Sequence, residues 1–161
     1  MTKIIPLTQG QQAIVDDEDY ERVSKYKWWT MKCRKSGFYA CRTFRKSNNK
    51  RASILLHRFI MNPPEKMQVD HVDDNGLNCT RSNMRVCTNA ENNRNKKLRP
   101  DNTSGYKGVT WDKRNKRWNA SITVNGKHLY ISQFTNPIDA AHAYDEAAKK
   151  YHGKFAKLNF Q

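Results

Sequence analysis

The stretch from Val69 to Lys96, VDHVDDNGLNCTRSNMRVCTNAENNRNK, sets a histidine directly behind an aspartate and closes on a cluster of asparagines. Cleaving a phosphodiester with water needs a group that takes the water's proton near neutral pH, and a cation that neutralises charge developing on the phosphate and the leaving oxygen. Asp70 offers a hard oxygen ligand to a divalent ion such as Mg²⁺, and His71 titrates close enough to neutrality to accept the proton. Consecutive residues of a strand point to opposite faces, so the two side chains could serve different roles at one edge. An asparagine carbonyl near Asn92 is a suitable second ligand for a hard cation.

These side chains need elements to hold them. The segment around VDHV reads as a strand and DDNGLNCTRSN as a loop turned by Asn75-Gly76. NMRVCT reads as a second strand, and NAENNRNKK opens a helix capped around Thr88 or Asn89. Strand, loop, strand and helix make a hairpin closed by a helix, which lets a residue near Asn92 face the Asp70 edge. The alternative is a polar surface loop, which draws on the same residue types.

Upstream, KIIPL and QAIVD read as short strands, and Asp16 or Asp17 as the cap of a helix through DEDYERVSKYKW. WWTMKC and FYACRTF read as strands around a Lys-Ser-Gly turn, and SILLHRFIM carries apolar residues at helical spacing. His57 in that run could reach the site, or could be a structural residue on an amphipathic helix. KYKWWTMKCRKSGFYACRTFRK interleaves basic and aromatic side chains, which suits phosphate neutralisation and stacking, and equally a hairpin with aromatics in its core.

KKLRPDNTSGYKG has a charge run, a proline and turn residues with no apolar period, and divides the chain near residue 100. Beyond it YKGVTWDK, RWNASITVN and KHLYISQF alternate as half-buried strands, with Asn125-Gly126 as a tight hairpin turn. In NPIDAAHAYDEAAKKYHG, Ile138, Ala141, Tyr144, Ala148 and Tyr151 fall on one helical stripe. Three antiparallel strands crossed by one helix is the expected arrangement, and the chain as a whole is α+β.

Of 161 residues, 30 are Lys or Arg and 15 Asp or Glu, a formal net charge of +15, which favours a polyanionic partner and nucleic acid first. No apolar run is long enough for a membrane span and the start lacks a signal-peptide core, so an intracellular, cytoplasmic protein with no membrane partner is expected. Cys33, Cys41, Cys79 and Cys87 form no CxxC pair, which points to packed thiols and not to zinc.

The run LHRFIMN, then VDH, NGLN, RSNMRVCT and NAENNRNK, resembles the HNH endonucleases, in particular the phage and intron-encoded homing members. The resemblance implies a ββα-metal motif that holds one Mg²⁺ or Mn²⁺ per active site, with Asp70 and Asn92 (or its neighbour Asn93) as ligands and His71 as general base. It assigns Asn83 to holding the loop and orienting the histidine. Asparagine stands where the family name has its final histidine. Arg85 and Arg94 are candidate phosphate contacts.

From Gly105 onward, YKGVTWD, RWNASI, LYISQFTNPIDAAHAYDEAAKKYHG and KLNF resemble the AP2 DNA-binding domain. That family lays its sheet in the major groove, which implies Lys107, Thr110, Trp111, Lys113, Arg117, Trp118, Ser121 and Thr123 as contacts. Trp118 could instead belong to the core. Lysine at 107 cannot form arginine's bidentate fork, so some base changes should be tolerated.

Together these imply a nuclease domain over 1–98, a linker at 99–104 and an AP2-like domain over 105–161. The expected function is homing-type, site-specific hydrolysis of double-stranded DNA by a monomer or homodimer, leaving 5′-phosphate and 3′-hydroxyl ends. A non-catalytic DNA-binding regulator that keeps the fold is the rival, and a structured-RNA nuclease a weaker third.

Overall fold

The computed structural model describes residues 1–33, 37–96, 98 and 101–160. Lys35 and Ser36 of the expected hairpin turn, and Arg99 and Pro100 of the expected linker, lie outside them, as does Gln161 at the end of the AP2-like range. The chain divides into two compact units, Met1–Asn89 and Ala90–Gln161. The architecture is mixed α+β.

In the first unit β1 (Thr2–Pro6) pairs antiparallel with β2 (Gln12–Asp16). Alternation buries Ile5, Ala13 and Val15 and leaves Ile4 outside. Helix α1 (Asp17–Ser24) starts with three acidic residues in its first turn, where the helix dipole favours them. Asp16 occupies the N-cap position without capping through its side chain; its carboxylate accepts instead from the Arg81 backbone N–H at 2.7 Å. The helix stops at Ser24 and does not run on to Trp28. Tyr26 N–H and the Trp28 indole N–H both donate to the Val23 carbonyl, so a buried aromatic terminates the element.

A three-stranded antiparallel sheet follows, β3 (Trp29–Cys33), β4 (Gly37–Arg45) and β5 (Arg51–Leu55). The expectation of a helix through SILLHRFIM is corrected here. Ser53, Ile54 and Leu55 pair with Thr43, Arg42 and Cys41 of β4, and α2 (Leu56–Met61) begins only after them. The sheet neighbour claims the half of the run that includes β-branched Ile54. Asn62 then turns left-handed at φ 41°, with two prolines behind it that cannot continue the helix.

β6 (Gln68–His71) and β8 (Met84–Cys87) form an antiparallel pair. Between them the expected loop contains a two-residue strand, β7 (Asn78–Cys79), running parallel to β2. Helix α3 (Asn89–Asn95) follows β8. One core of Ile5, Val15, Val23, Trp28, Leu56, Ile60 and their neighbours, none of them on α3, serves the first unit, and α3 from Ala90 onward belongs to the second.

Asp19 joins α1 to the turn that precedes β8. It is only 2 % exposed, and accepts from Arg81 Nε at 2.7 Å, Arg81 Nη2 at 2.9 Å and Arg22 Nη2 at 2.7 Å. Burial pushes its carboxyl up, but the bonds from Arg81 and Arg22 outweigh this and hold it below the usual carboxylate range.

In the second unit β9 (Val109–Asp112), β10 (Arg117–Val124) and β11 (Lys127–Phe134) form an antiparallel sheet in the order β11-β10-β9. Asn125 and Gly126 both adopt positive φ, 51° and 78°, as a tight two-residue hairpin turn requires. Helix α4 (Pro137–His152) is capped by Asn136, whose Oδ1 accepts from Ile138 N–H at 2.9 Å, with proline at the first helical position. Its buried side is Ala140, Ala141, Tyr144, Asp145, Ala148 and His152. The expected stripe is therefore rotated. Ile138 and Tyr151 are each 43 % exposed, and the alanines let the helix sit close on Val109, Ala120 and Ile122. Asp145 accepts the Asn159 and Phe160 backbone N–H groups, and Asn159 in turn accepts from Lys107 N–H, so α4 holds both the tail and the start of β9. Cys33, Cys41, Cys79 and Cys87 are thiols. No helix among the described residues is long and apolar enough to cross a membrane.

Gly108 has φ +75°, and a Cβ there would sit 1.9 Å from the Tyr144 ring. Gly108→Ala is expected to destabilise the second unit by at least about 2 kcal/mol, read as a lower denaturant midpoint; an unchanged midpoint would refute the close packing. Because the folded Asp19 carboxyl is depressed, its stabilisation is complete above the unfolded value of about 3.9 and is lost as pH falls through the folded value. The stability gap between wild type and Asp19→Asn should thus be flat near neutrality and shrink in acid. A gap independent of pH would remove Asp19 from the account.

Candidate active site

Asp70 and His71 sit side by side on β6, both 6 % exposed, and the pleat turns them to opposite faces. The β6–β8 register sets Asp70 opposite Arg85 and His71 opposite Met84. Arg85 Nε and Nη2 both donate to Asp70 Oδ2, at 2.8 and 2.7 Å. Arg85, a candidate phosphate contact, thus lies against Asp70. Its side chain is 16 % exposed, and it directs Nε and Nη2 to the aspartate directly across the ladder.

The other face of the strand brings rings together. His57 on α2 lies edge-on to His71 with centroids 5.0 Å apart, and Tyr39 on β4 is 5.6 Å from His57 and 6.0 Å from His71. His57, weighed in the sequence as a structural residue, is therefore part of the His71 environment. Its signal was present: a histidine inside the apolar run LLHRFIM points inward with Leu56. Tyr39 had no local signal, since only the packing of β4 against the loop after β6 brings it here. Gly76 makes that packing possible, because a Cβ on it would lie 2.5 Å from the Phe38 carbonyl and the Tyr39 ring.

Burial drives both imidazoles toward the neutral form. It pushes His57 down to about 3, with His71 and Arg58 adding to the effect. His71 is also lowered by burial, while Asp73 and Asp70 pull it partly back. A neutral imidazole is the form that accepts a proton.

Asn83 holds the loop after His71. Its Nδ2 donates to Asp73 Oδ1 and to the Asn78 carbonyl, both at 2.9 Å, its Oδ1 accepts from Asp73 N–H at 3.1 Å, and its carbonyl accepts from Val72 N–H at 2.9 Å. Asp73 also takes bonds from Asn75 N–H and Asn78 Nδ2, both at 2.8 Å. These bonds of Asn83 reach the two residues that follow His71 and set where the strand ends. Asn92 is half-buried and Asn93 exposed, both on α3.

The candidate DNA contacts do not share one surface. The pleat puts Thr110, Arg117, Ser121 and Thr123 on the face of the second sheet opposite Ala120 and Ile122, which pack toward α4. Lys113 is exposed in the β9–β10 turn. Trp111 and Trp118 stand directly opposite each other on the helix-side face, centroids 4.9 Å apart, and Trp118 packs on the Val109–Ala120–Ala141 core. The tryptophans are thus not grouped with Arg117 as expected, because an even spacing from core-facing Val109 and Ala120 fixes their side of the sheet. The ammonium of Lys107, another candidate contact, donates to the Arg94 and Lys96 carbonyls at 2.5 and 2.9 Å. Arg94 reaches the Asn125 side chain at 3.5 Å.

The first unit thus holds a buried Asp-His strand with an asparagine-braced loop, and the second a three-stranded sheet on one helix. The HNH endonuclease family model matches residues 62–94 and the AP2 domain model residues 104–154. The protein titled "Uncharacterized HNH endonuclease L560" of Acanthamoeba polyphaga mimivirus is 33 % identical over 157 residues, 94 % of this chain and 76 % of its own. "Protein 3.8" of Escherichia phage T7 is 33 % identical over 96 residues, 59 % of this chain and 78 % of its own. The "AP2-like ethylene-responsive transcription factor TOE2" of Arabidopsis thaliana is 43 % identical over 58 residues, 36 % of this chain but 12 % of its own. The chain belongs to the HNH endonuclease family and carries an AP2 domain.

Asn83→Ala removes two donated bonds and one accepted bond from a partly buried loop. It should cost about 1–3 kcal/mol in urea unfolding, and an unchanged midpoint would mean that the backbone alone holds the loop.

Proposed function

We propose that this protein is a homing-type, site-specific endonuclease of double-stranded DNA, with the nuclease domain over residues 1–98 and the AP2-like domain over 105–161 joined by the 99–104 linker. The observation that supports it most is the neutral, buried His71 beside Asp70 on a strand whose end is braced by Asn83.

The donor set suits a hard divalent ion. Asp70 presents a carboxylate and Asn92 a side-chain carbonyl, the oxygen chemistry that Mg²⁺ and Mn²⁺ take. When bound, such an ion neutralises charge on the scissile phosphate and the departing oxygen. His71 takes the proton of the attacking water at a ring nitrogen and hands it on to solvent. Tyr39 and His57 wall the ring in, which limits its rotation and keeps it neutral. Arg85 fixes Asp70 on the opposite face. Asn83 keeps the histidine at the end of its strand by holding the loop that follows.

On the second unit, Thr110, Lys113, Arg117, Ser121 and Thr123 would meet duplex DNA from the outer sheet face, with Trp111 and Trp118 supporting the sheet from behind. Arg94 and Lys107 would then act near the base of the module. One such site cuts one strand per visit, so a monomer nicks, and a double-strand break takes a second copy or a second visit.

The engagement of Asp70 by Arg85 favours a second reading, a DNA-binding regulator that retains the fold. Nicking of supercoiled plasmid with Mg²⁺ or EDTA separates them. Wild type should nick only with the metal, and His71→Ala should lose at least about a hundredfold in rate, within the usual range for a general base, while duplex affinity stays nearly unchanged. A His71→Ala protein that cuts at the wild-type rate would exclude the base assignment. Tight binding with no metal-dependent nicking would favour the regulator.

A further inference from the structure

Between Glu21 and Glu65 the chain carries twelve Lys and Arg residues and no Asp or Glu, so this segment alone holds twelve of the fifteen net positive charges. Most of it, up to Met61, lies outside both matched segments, which span residues 62–94 and 104–154. The cations gather at the β4–β5 hairpin tip, Arg45-Lys46-Ser47-Asn48-Asn49-Lys50-Arg51, every residue of which is exposed. The tip is an ordered turn, closed by Lys46 N–H to the Lys50 carbonyl at 2.9 Å, with Asn49 at φ 60°.

Two features of the tip are costly for a surface that meets only water. Arg45 stands directly opposite Arg51 in the ladder, and like charges in that position repel. Among the described residues, neither these arginines nor Lys46 and Lys50 form an ion pair. Arg45 turns to a neutral partner, the Asn49 side-chain oxygen at 2.9 Å. Just behind the tip, the Arg42 guanidinium lies 3.5 Å from the centroid of exposed Tyr26, a packing that holds one more cation along the same ribbon.

We propose that the β4–β5 hairpin tip is a second surface for duplex DNA, contacting its phosphates and separate in sequence from the AP2 domain. The inference rests on reading the protein as a DNA endonuclease. A two-stranded ribbon fits the major groove, and paired cations at its tip are neutralised by phosphates on the groove wall. The same strand acts as a ruler. Tyr39 touches the His71 environment and Arg45 ends the strand six residues later, about 20 Å away at the usual rise per residue. At about 3.4 Å per nucleotide along one strand, the tip would meet phosphates about six nucleotides from the cleaved bond.

The test measures affinity of the full-length protein for a labelled DNA duplex, and for an RNA duplex of the same sequence, across a salt series in EDTA. Wild type is compared with Arg45→Gln/Lys46→Gln/Lys50→Gln/Arg51→Gln, and with Arg51→Gln alone in case the fourfold variant does not fold. The plot of log affinity against log salt for DNA should become shallower by about 3–4 in the fourfold variant and by about 1 in the single one. An unchanged slope overturns the proposal, and a change confined to RNA overturns the assignment of DNA. Binding in EDTA needs no cleavage, so the two readings fail separately. Metal-dependent nicking with an unchanged slope sinks only this surface, and a shallower slope without nicking sinks only the nuclease reading.

Discussion

The geometry of the first unit depends on the buried pairing of Asp19 with Arg81. A carboxylate with almost no exposure is tolerable only because three charge-assisted N–H bonds replace the water it lost. Arg81 opens the short turn that carries Asn83 into β8, so the same pair that seats α1 on the core also sets where the site loop re-enters the hairpin. Removing one partner of such a pair leaves the other buried and unmatched, which is worse than never having had either.

Around that anchor the Asp-His strand is covered on both faces by different chemistry. A guanidinium covers the aspartate and two rings cover the histidine. Desolvation acts on the imidazole face and shifts it toward neutrality, while the charge of Arg85 stays on the far side of the strand. Strand alternation thus separates an acidic and a basic function that are adjacent in the chain by the thickness of one backbone.

The second unit solves a packing problem more than an electrostatic one. Its alanine-lined helix lies close to the sheet, Gly108 admits the Tyr144 ring, and Asp145 gathers the C-terminal tail onto the loop before β9. The outer sheet face carries Arg117, polar residues and the exposed Tyr130 paired with Ser121, and the net charge divides almost evenly, +7 over residues 1–89 and +8 over residues 90–161.

Much that is governed by neighbours within about four residues was legible in the sequence: the β9–β11 alternation, the Asn125-Gly126 turn, the hairpin strands around Asp70 and Met84, and the presence of a helix in the alanine-rich tail. The Asp-His pair was visible for the same reason, since both residues stand together in one strand. Only the tertiary structure decided that Ser53–Leu55 is strand, that Trp111 and Trp118 sit on the helix side, that Arg85 is bound to Asp70, and that Tyr39 and His57 enclose His71. Those outcomes turn on register between segments far apart in the chain, as with Arg81 and Asp19, 62 residues apart. A one-residue slip in such a register exchanges the two faces of a strand, and no local periodicity encodes it.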